Sequence, residues 1–186
     1  MAIPNSIGVI EFSSIGAGYL AEDEMLKAAT VELILARTIC SGKYLVVIGG
    51  TVSDVDAAIE VGVKIGADAV IDHMKLANVH ESVFPAVAQS VTLSEKDIDA
   101  LGIIETFSGT SVLAAADAAA KAANIRLFRI HIAMALGGKG LCLMTGRVAD
   151  VRAGVEAAAE EVASRGLLVS KIVIPRPTRE LFAEFI

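Results

Sequence analysis

The sequence contains an internal repeat that covers most of its length. Residues 7–11 align with 101–105 at an offset of 94. The same offset aligns two further charged positions, Asp23 with Asp117 and Lys27 with Lys121. Farther on, residues 50–55 align with 146–151 and Gly42-Lys43 with Gly138-Lys139 at an offset of 96, so a two-residue insertion separates the blocks. A repeat of this kind predicts two copies of one folding unit.

Each copy is predicted to fold in the order strand, helix, strand, strand, helix, strand. In the first copy, short runs rich in β-branched and apolar residues predict strands, at residues 7–12, 33–39, 44–48 and 70–76. An Ala-rich segment predicts a helix over residues 21–29, and Ser53 is a candidate N-cap for the second helix. This order predicts a fold that mixes helices and strands (α/β). Within that class it predicts the α+β, ferredoxin-like type. We expect a first domain at 1–90, a polar linker at 91–100 and a second domain at 101–186.

The composition indicates a packed protein that assembles with others. Of its 186 residues, 54% are hydrophobic and 4% are aromatic, which excludes a disordered chain and favours close packing of small side chains. No apolar run approaches the roughly 20 residues that span a bilayer. The N-terminus lacks the basic and apolar segments of an export signal. We therefore expect a cytoplasmic protein with no membrane partner.

The charge pattern argues against nucleic acid as a partner. Residues 1–93 contain 5 Lys and Arg against 11 Asp and Glu, whereas residues 94–186 contain 11 of each. Neither half is net basic, and no cluster of Lys and Arg forms the basic face that phosphate binding requires.

No residue pattern in the chain predicts catalysis. Gly137-Gly138-Lys139 lacks the spacing of a phosphate-binding loop, and the three histidines lack metal-ligand spacing. Glu11 and Glu105 are equivalent in the repeat, which indicates a structural role for both. We expect that the protein is not an enzyme.

The two cysteines are interpreted separately. Cys142 lies in an apolar strand, where a thiol behaves as a small hydrophobic group. Cys40 lies in a predicted hairpin loop with Ser41 and Gly42. The residues alone leave Cys40 open between an incidental thiol, a reactive thiol and a metal ligand.

The repeated unit resembles bacterial microcompartment shell domains. The resemblance lies in the order of its strands and helices, in its opening strands, in Gly137-Gly138-Lys139, and in the Gly-x-Val-x-x-Val pattern that begins the second helix of each copy. Nearly the whole chain resembles the tandem-domain class of these proteins, with the domains in unpermuted order. The resemblance implies a homotrimer with a hexamer-like outline and a central pore. It also implies other microcompartment shell proteins as partners and a location in the shell.

Residues 37–43, Arg-Thr-Ile-Cys-Ser-Gly-Lys, are similar to a pore loop of propanediol-utilisation shell proteins that carry an iron–sulfur cluster. By this resemblance, Cys40 from three chains would bind one 4Fe–4S cluster per trimer, for electron transfer or cluster delivery across the shell. An enclosed redox enzyme is then a further candidate partner. The predicted pore-lining residues are Ile39, Ser41, Gly42, Gly137, Gly138 and Lys139.

Two other functions stay open at this point. A shell pore without a cluster would pass a small metabolite. A soluble ligand-binding regulator built on a duplicated ferredoxin-like unit is the alternative from outside the shell class.

Overall fold

The computed structural model describes residues 4–40, 42–133, 136–183 and 185. These residues form two compact units that divide between Glu81 and Ser82. The first contains β1 (Ser6–Phe12), α1 (Ile15–Ala28), β2 (Glu32–Ile39), β3 (Lys43–Gly50), α2 (Val52–Gly66) and β4 (Val70–Ala77). The second contains α3 (Val83–Val87), β5 (Ala100–Thr106), α4 (Ser111–Ala122), β6 (Arg126–Ile132), β7 (Gly140–Gly146), α5 (Val148–Ala163) and β8 (Leu168–Ile174). The predicted order of strands and helices is confirmed in both units.

The two sheets have the same topology. Each is four-stranded, in the orders β2-β3-β1-β4 and β6-β7-β5-β8, and each strand pair is antiparallel. The pairing of the first strand with the last shifts register between Glu11 and Phe12 in one unit and between Glu105 and Thr106 in the other. The irregularity thus recurs at the repeat-equivalent position, and the two sheets keep the same strand order despite the insertion of two residues between the sequence blocks.

The core of the first unit lies between its sheet and its helices. Alternate residues of β1 and β3 face α1 and α2, as expected for strands whose side chains alternate between two faces. The buried side chains of this cluster are Ile10, Phe12, Ala21, Met25, Tyr44, Val46, Ile48, Val55, Ala58 and Ile59. On α2 the buried residues Val55, Ala58 and Ile59 are spaced to lie on one side of the helix, which is its packing face.

A glycine makes room for a large ring at the junction of α1 and β3. A Cβ atom at Gly18 would lie 2.5 Å from Cδ1 of Tyr44, which is 2% exposed. At the equivalent positions of the second unit, the larger residue is on the helix (Val112) and the glycine is on the strand (Gly140). A Cβ atom at Gly140 would lie 2.5 Å from Val112 Cβ. Each unit thus places one glycine in this close helix–strand contact.

We expect Gly18→Ala and Gly16→Ala to change stability in opposite directions. The methyl group at position 18 has to displace the buried Tyr44 ring, which costs about 1–3 kcal/mol. A Cβ at Gly16 meets no atom within 4 Å, so the higher helix propensity of alanine stabilises this variant by up to about 1 kcal/mol. Urea unfolding at matched protein concentration measures both. Equal unfolding midpoints for the two variants would contradict the packing argument.

Both helices of the first unit begin earlier than the sequence pattern predicts. α1 starts at Ile15, with the Ser14 hydroxyl accepting a hydrogen bond from the Ala17 N–H at 3.3 Å. The N-cap of α2 is Thr51 instead of Ser53, and its hydroxyl oxygen accepts from the Asp54 N–H at 3.2 Å. In both cases the hydroxyl group of the residue just before the helix accepts a hydrogen bond from an N–H group of the first turn.

The segment between the repeats is packed, although its polar composition predicts a linker. Leu93 is 2% exposed and lies in a cluster with the aromatic rings of Phe128, Phe182 and Phe185. Its backbone N–H donates to the Phe185 carbonyl at 2.7 Å. The partners come from residues that are far apart in the sequence, so local composition does not reveal this contact. Residues 82–99 accordingly group with the second unit.

Within the described part of the chain, the longest apolar helices fall short of what a membrane crossing requires.

Candidate functional site

The hairpin between β2 and β3 carries the first part of the predicted site. Ile39 ends β2 and is 6% exposed, so its side chain is buried. Cys40 follows it and is exposed. Gly42 has a φ of +72°, and a Cβ there would meet no atom within 4 Å. The turn therefore needs glycine for its backbone, and the space into which a side chain at position 42 would project is open. Ser41, which the sequence also predicts to line the pore, lies outside the described residues.

Lys43 is fixed to the sheet directly after this turn. Its Nζ donates to Glu11 Oε1 on β1 at 2.7 Å, and the Glu11 side chain is 17% exposed. The pair joins neighbouring strands beside the turn, which keeps the lysine charge matched by a carboxylate.

The hairpin between β6 and β7 carries the second part of the site. Gly137 and Gly138 are exposed and have φ of +61° and +90°. The Gly138 carbonyl accepts from the Gly109 N–H at 2.9 Å, and the Lys139 carbonyl accepts from the Ala133 N–H at 3.0 Å. These backbone bonds hold the described part of this turn, in which the exposed residues Gly137 and Gly138 carry no side chains.

Lys139 repeats the ion pair of the first hairpin. Its Nζ donates to Glu105 Oε1 at 2.9 Å, and the Ser170 hydroxyl donates to Glu105 Oε2 at 3.2 Å. The hydrogen bond from Lys139 is the main cause that lowers the pKa of Glu105 below its ordinary value. The structural role predicted for Glu11 and Glu105 is therefore seen in both units. Their lysine partners, Lys43 and Lys139, also align in the repeat, but no spacing in the sequence indicates the pairing.

The two thiols differ in their ability to bind a metal. Cys142 is completely buried on β7, and burial raises the pKa of its thiol to about 12. It stays protonated near neutral pH and packs as the sequence predicts. Cys40 is exposed. Among the residues that the structure describes, no three His, Cys, Asp or Glu side chains of one chain come together as metal ligands.

Comparison with known proteins identifies the repeated unit. The family model described as "BMC domain" matches residues 6–79 and 100–177, which are the two sheet-and-helix units. The bacterial microcompartment shell protein PduT of Citrobacter freundii is 40% identical over 181 residues, covering 97% of each chain. The carboxysome assembly protein CcmO of Synechococcus elongatus is 32% identical over 95% of this chain and 67% of its own. These relatives are named for shell and assembly roles and not for an enzymatic activity.

Solved structures show the same fold. A microcompartment protein from Desulfitobacterium hafniense DCB superposes with a TM-score of 0.93 at 43% identity, covering 98% of this chain and 99% of that one. A fused permuted hexameric shell protein of the RMM microcompartment superposes with a TM-score of 0.56 at 20% identity, a similarity of fold alone. The full-length match and the duplicated domain together show that the chain belongs to the BMC-domain family of bacterial microcompartment shell proteins.

Proposed function

We propose that three copies of this chain form a ring within a microcompartment shell, and that Cys40 of each copy binds one shared 4Fe–4S cluster at the centre. The coarser part of this function follows from the family, because a BMC-domain shell protein is a structural component of the shell. The homotrimer, the cluster and its redox role are the parts that experiment has to test.

The observation that supports the cluster most directly is the position of Cys40. It is the one exposed thiol of the chain, since Cys142 is buried, and it lies in a turn where Gly42 leaves open space. A 4Fe–4S cluster is typically held by four thiolates. One chain supplies a single suitable thiol, whereas three-fold symmetry would bring three copies to one axis. A ligand from outside the chain would complete the set.

The neighbouring residues suit this role. The buried Ile39 side chain anchors the end of β2, and the Lys43–Glu11 pair anchors the start of β3. Cys40 is thus held at a short turn between two fixed strand ends. When bound, a 4Fe–4S cluster supplies one-electron transfer, which would suit exchange between the inside of the shell and its surroundings. Other shell proteins and an enclosed redox enzyme are the partners that this role calls for.

A cluster-free pore for a small metabolite is the second candidate. Gly137 and Gly138 favour it, because both are exposed and a Cβ at either would meet no atom within 4 Å. If this turn and the Cys40 turn line one opening, the glycines widen it. Lys139, held by Glu105, would then contribute charge near the opening.

Native mass spectrometry of protein purified without oxygen tests the proposal. We expect a trimer whose mass exceeds three chains by one 4Fe–4S cluster, together with iron and sulfide in equal amounts. A trimer without the added mass would support the metabolite pore. A monomer at all concentrations would overturn the ring.

A further inference from the structure

Charged side chains form a row across the first sheet, next to the Cys40 turn. Lys43, which begins β3, stands directly opposite Ile39, the residue before Cys40. Two residues farther from the turn, the strand register places four residues side by side on β2, β3, β1 and β4. They are Arg37, Leu45, Glu11 and Asp72. Directly opposite residues project to the same face of a sheet, and this face is the one that points away from the helices.

The central contact of this row is the ion pair of Lys43 with Glu11. Lys43 Nζ lies 2.7 Å from Glu11 Oε1, and the two side chains are 35% and 17% exposed. Directly opposite residues have Cβ atoms about 4.5–5.5 Å apart, so the Lys43 backbone lies beside the strand end that leads into Cys40. Because both charges are partly shielded from water, they act on their surroundings more strongly than a fully exposed pair does.

The second unit keeps the ion pair, as Lys139 with Glu105, but not the charges that flank it. Where the row of the first sheet has an arginine and an aspartate, the row of the second has His131 and Ser170. The pair by itself is therefore a feature of the repeated fold. The balanced set of two cations and two carboxylates belongs to the unit that carries the exposed thiol of Cys40.

We infer that the Lys43–Glu11 pair sets the electrostatic potential at Cys40, and thereby the reduction potential of a cluster bound there. This inference rests on the proposed function and adds two positioning residues that act on the cluster through space and are not its ligands. Reduction adds one electron, and thus one negative charge, while no bond forms or breaks. A nearby ammonium group favours that charge and a nearby carboxylate opposes it, and the potentials of iron–sulfur clusters respond to such surrounding charge.

Three-fold symmetry multiplies the effect of the pair. In the proposed ring every copy places the same two residues beside the shared cluster, so one substitution changes three charges at once. With the pair intact, the charges of Lys43 and Glu11 offset each other. Loss of the carboxylate leaves three uncompensated ammonium groups, whereas loss of the ammonium group leaves three uncompensated carboxylates. The two substitutions therefore shift the potential in opposite directions, which a purely structural role of the pair does not predict.

The test compares Glu11→Gln with Lys43→Gln in protein purified without oxygen. At a fixed ambient potential, we expect Glu11→Gln to raise the ratio of reduced to oxidised cluster by about tenfold and Lys43→Gln to lower it by a similar factor. A tenfold change corresponds to about 59 mV for a one-electron couple. The double variant, which removes both charges, should return close to the wild-type ratio. Titration with dithionite and redox mediators, followed by electron paramagnetic resonance, measures the ratio.

Two further variants separate charge from structure. Lys43→Arg keeps the charge and should keep the wild-type ratio. Asp56→Asn breaks an ion pair of the same kind, in which Lys75 Nζ lies 2.7 Å from Asp56 Oδ1, but this pair joins α2 to β4. Lys75 stands opposite Gly8, three positions along β1 from Glu11, so Asp56→Asn should leave the ratio unchanged. Iron and sulfide per trimer show whether each variant carries the same amount of cluster.

The outcomes distinguish this inference from the proposed function. Wild-type protein without a cluster would defeat the proposed function, and the inference with it. If the wild type is loaded, equal ratios for Glu11→Gln and Lys43→Gln, or shifts of both in the same direction, would overturn the inference alone. Should Lys43→Gln fail to bind the cluster, the comparison of Glu11→Gln with Lys43→Arg still decides, because the first is expected to shift the ratio and the second is not.

Discussion

Cys40→Ser is expected to abolish bound iron while the trimer persists. Serine keeps nearly the same size, but its hydroxyl does not ionise near neutral pH and is a poor ligand for the soft iron of a cluster. The substitution changes an exposed position in a turn, so the packing of the unit stays intact. At the proposed cluster site, three ligands would be lost at once, because each copy of the trimer would contribute the same residue. We expect the iron content to fall from one cluster per trimer to background.

Cys142→Ala is the matched control for this loss. It also removes one of the two thiols of the chain, but from a completely buried position on β7. Iron should remain at the wild-type level in this variant, with a small decrease in stability from the lost sulfur contacts. Iron retained in Cys40→Ser would contradict the cluster site and leave the shell role unaffected. Anaerobic purification and iron and sulfide assays are required for all three proteins.

The fold was predictable from the sequence because two independent patterns indicate it. The internal repeat predicts two copies of one unit, and the apolar runs predict the strands within each copy. The apolar runs that predict strands at residues 7–12 and 70–76 are strands β1 and β4 within one residue at either end. The helix starts were less predictable. Ser14 and Thr51 cap their helices through hydroxyl groups, and such residues are common in turns of every kind. Their role depends on the backbone that follows them and not on the apolar pattern.

The repeat also indicates which parts of the site a sequence can reveal. Glu11 and Glu105 align with each other, as do Lys43 and Lys139, but nothing in their spacing shows that they pair. The antiparallel register of β1 with β3 brings Glu11 opposite Leu45, two residues after Lys43, and the second sheet repeats this arrangement.

The packed segment that replaces the predicted linker leads to the second large effect. Phe182 is completely buried in the cluster that closes the second unit, with its ring centroid 5.7 Å from that of Phe128 on β6. We expect Phe182→Ala to destabilise the second unit by about 3–5 kcal/mol, because the cavity cannot be refilled by the neighbouring rings. Loss of the Phe182 ring would also weaken the packing of residues 91–98 and of the C-terminal turn, since both pack against the same aromatic rings.

Leu181→Ala is the control, because this adjacent residue of the same turn is 50% exposed. Its change in unfolding free energy should stay within about 0.5 kcal/mol, as for most surface substitutions. Urea unfolding at one fixed protein concentration compares the variants, since the stability of an oligomer depends on concentration. Hydrogen exchange then locates the effect: Phe182→Ala should deprotect the Leu93 amide, which donates to the Phe185 carbonyl. An unchanged Leu93 amide would mean that residues 91–98 are held independently of the aromatic cluster, and would contradict this account of the segment.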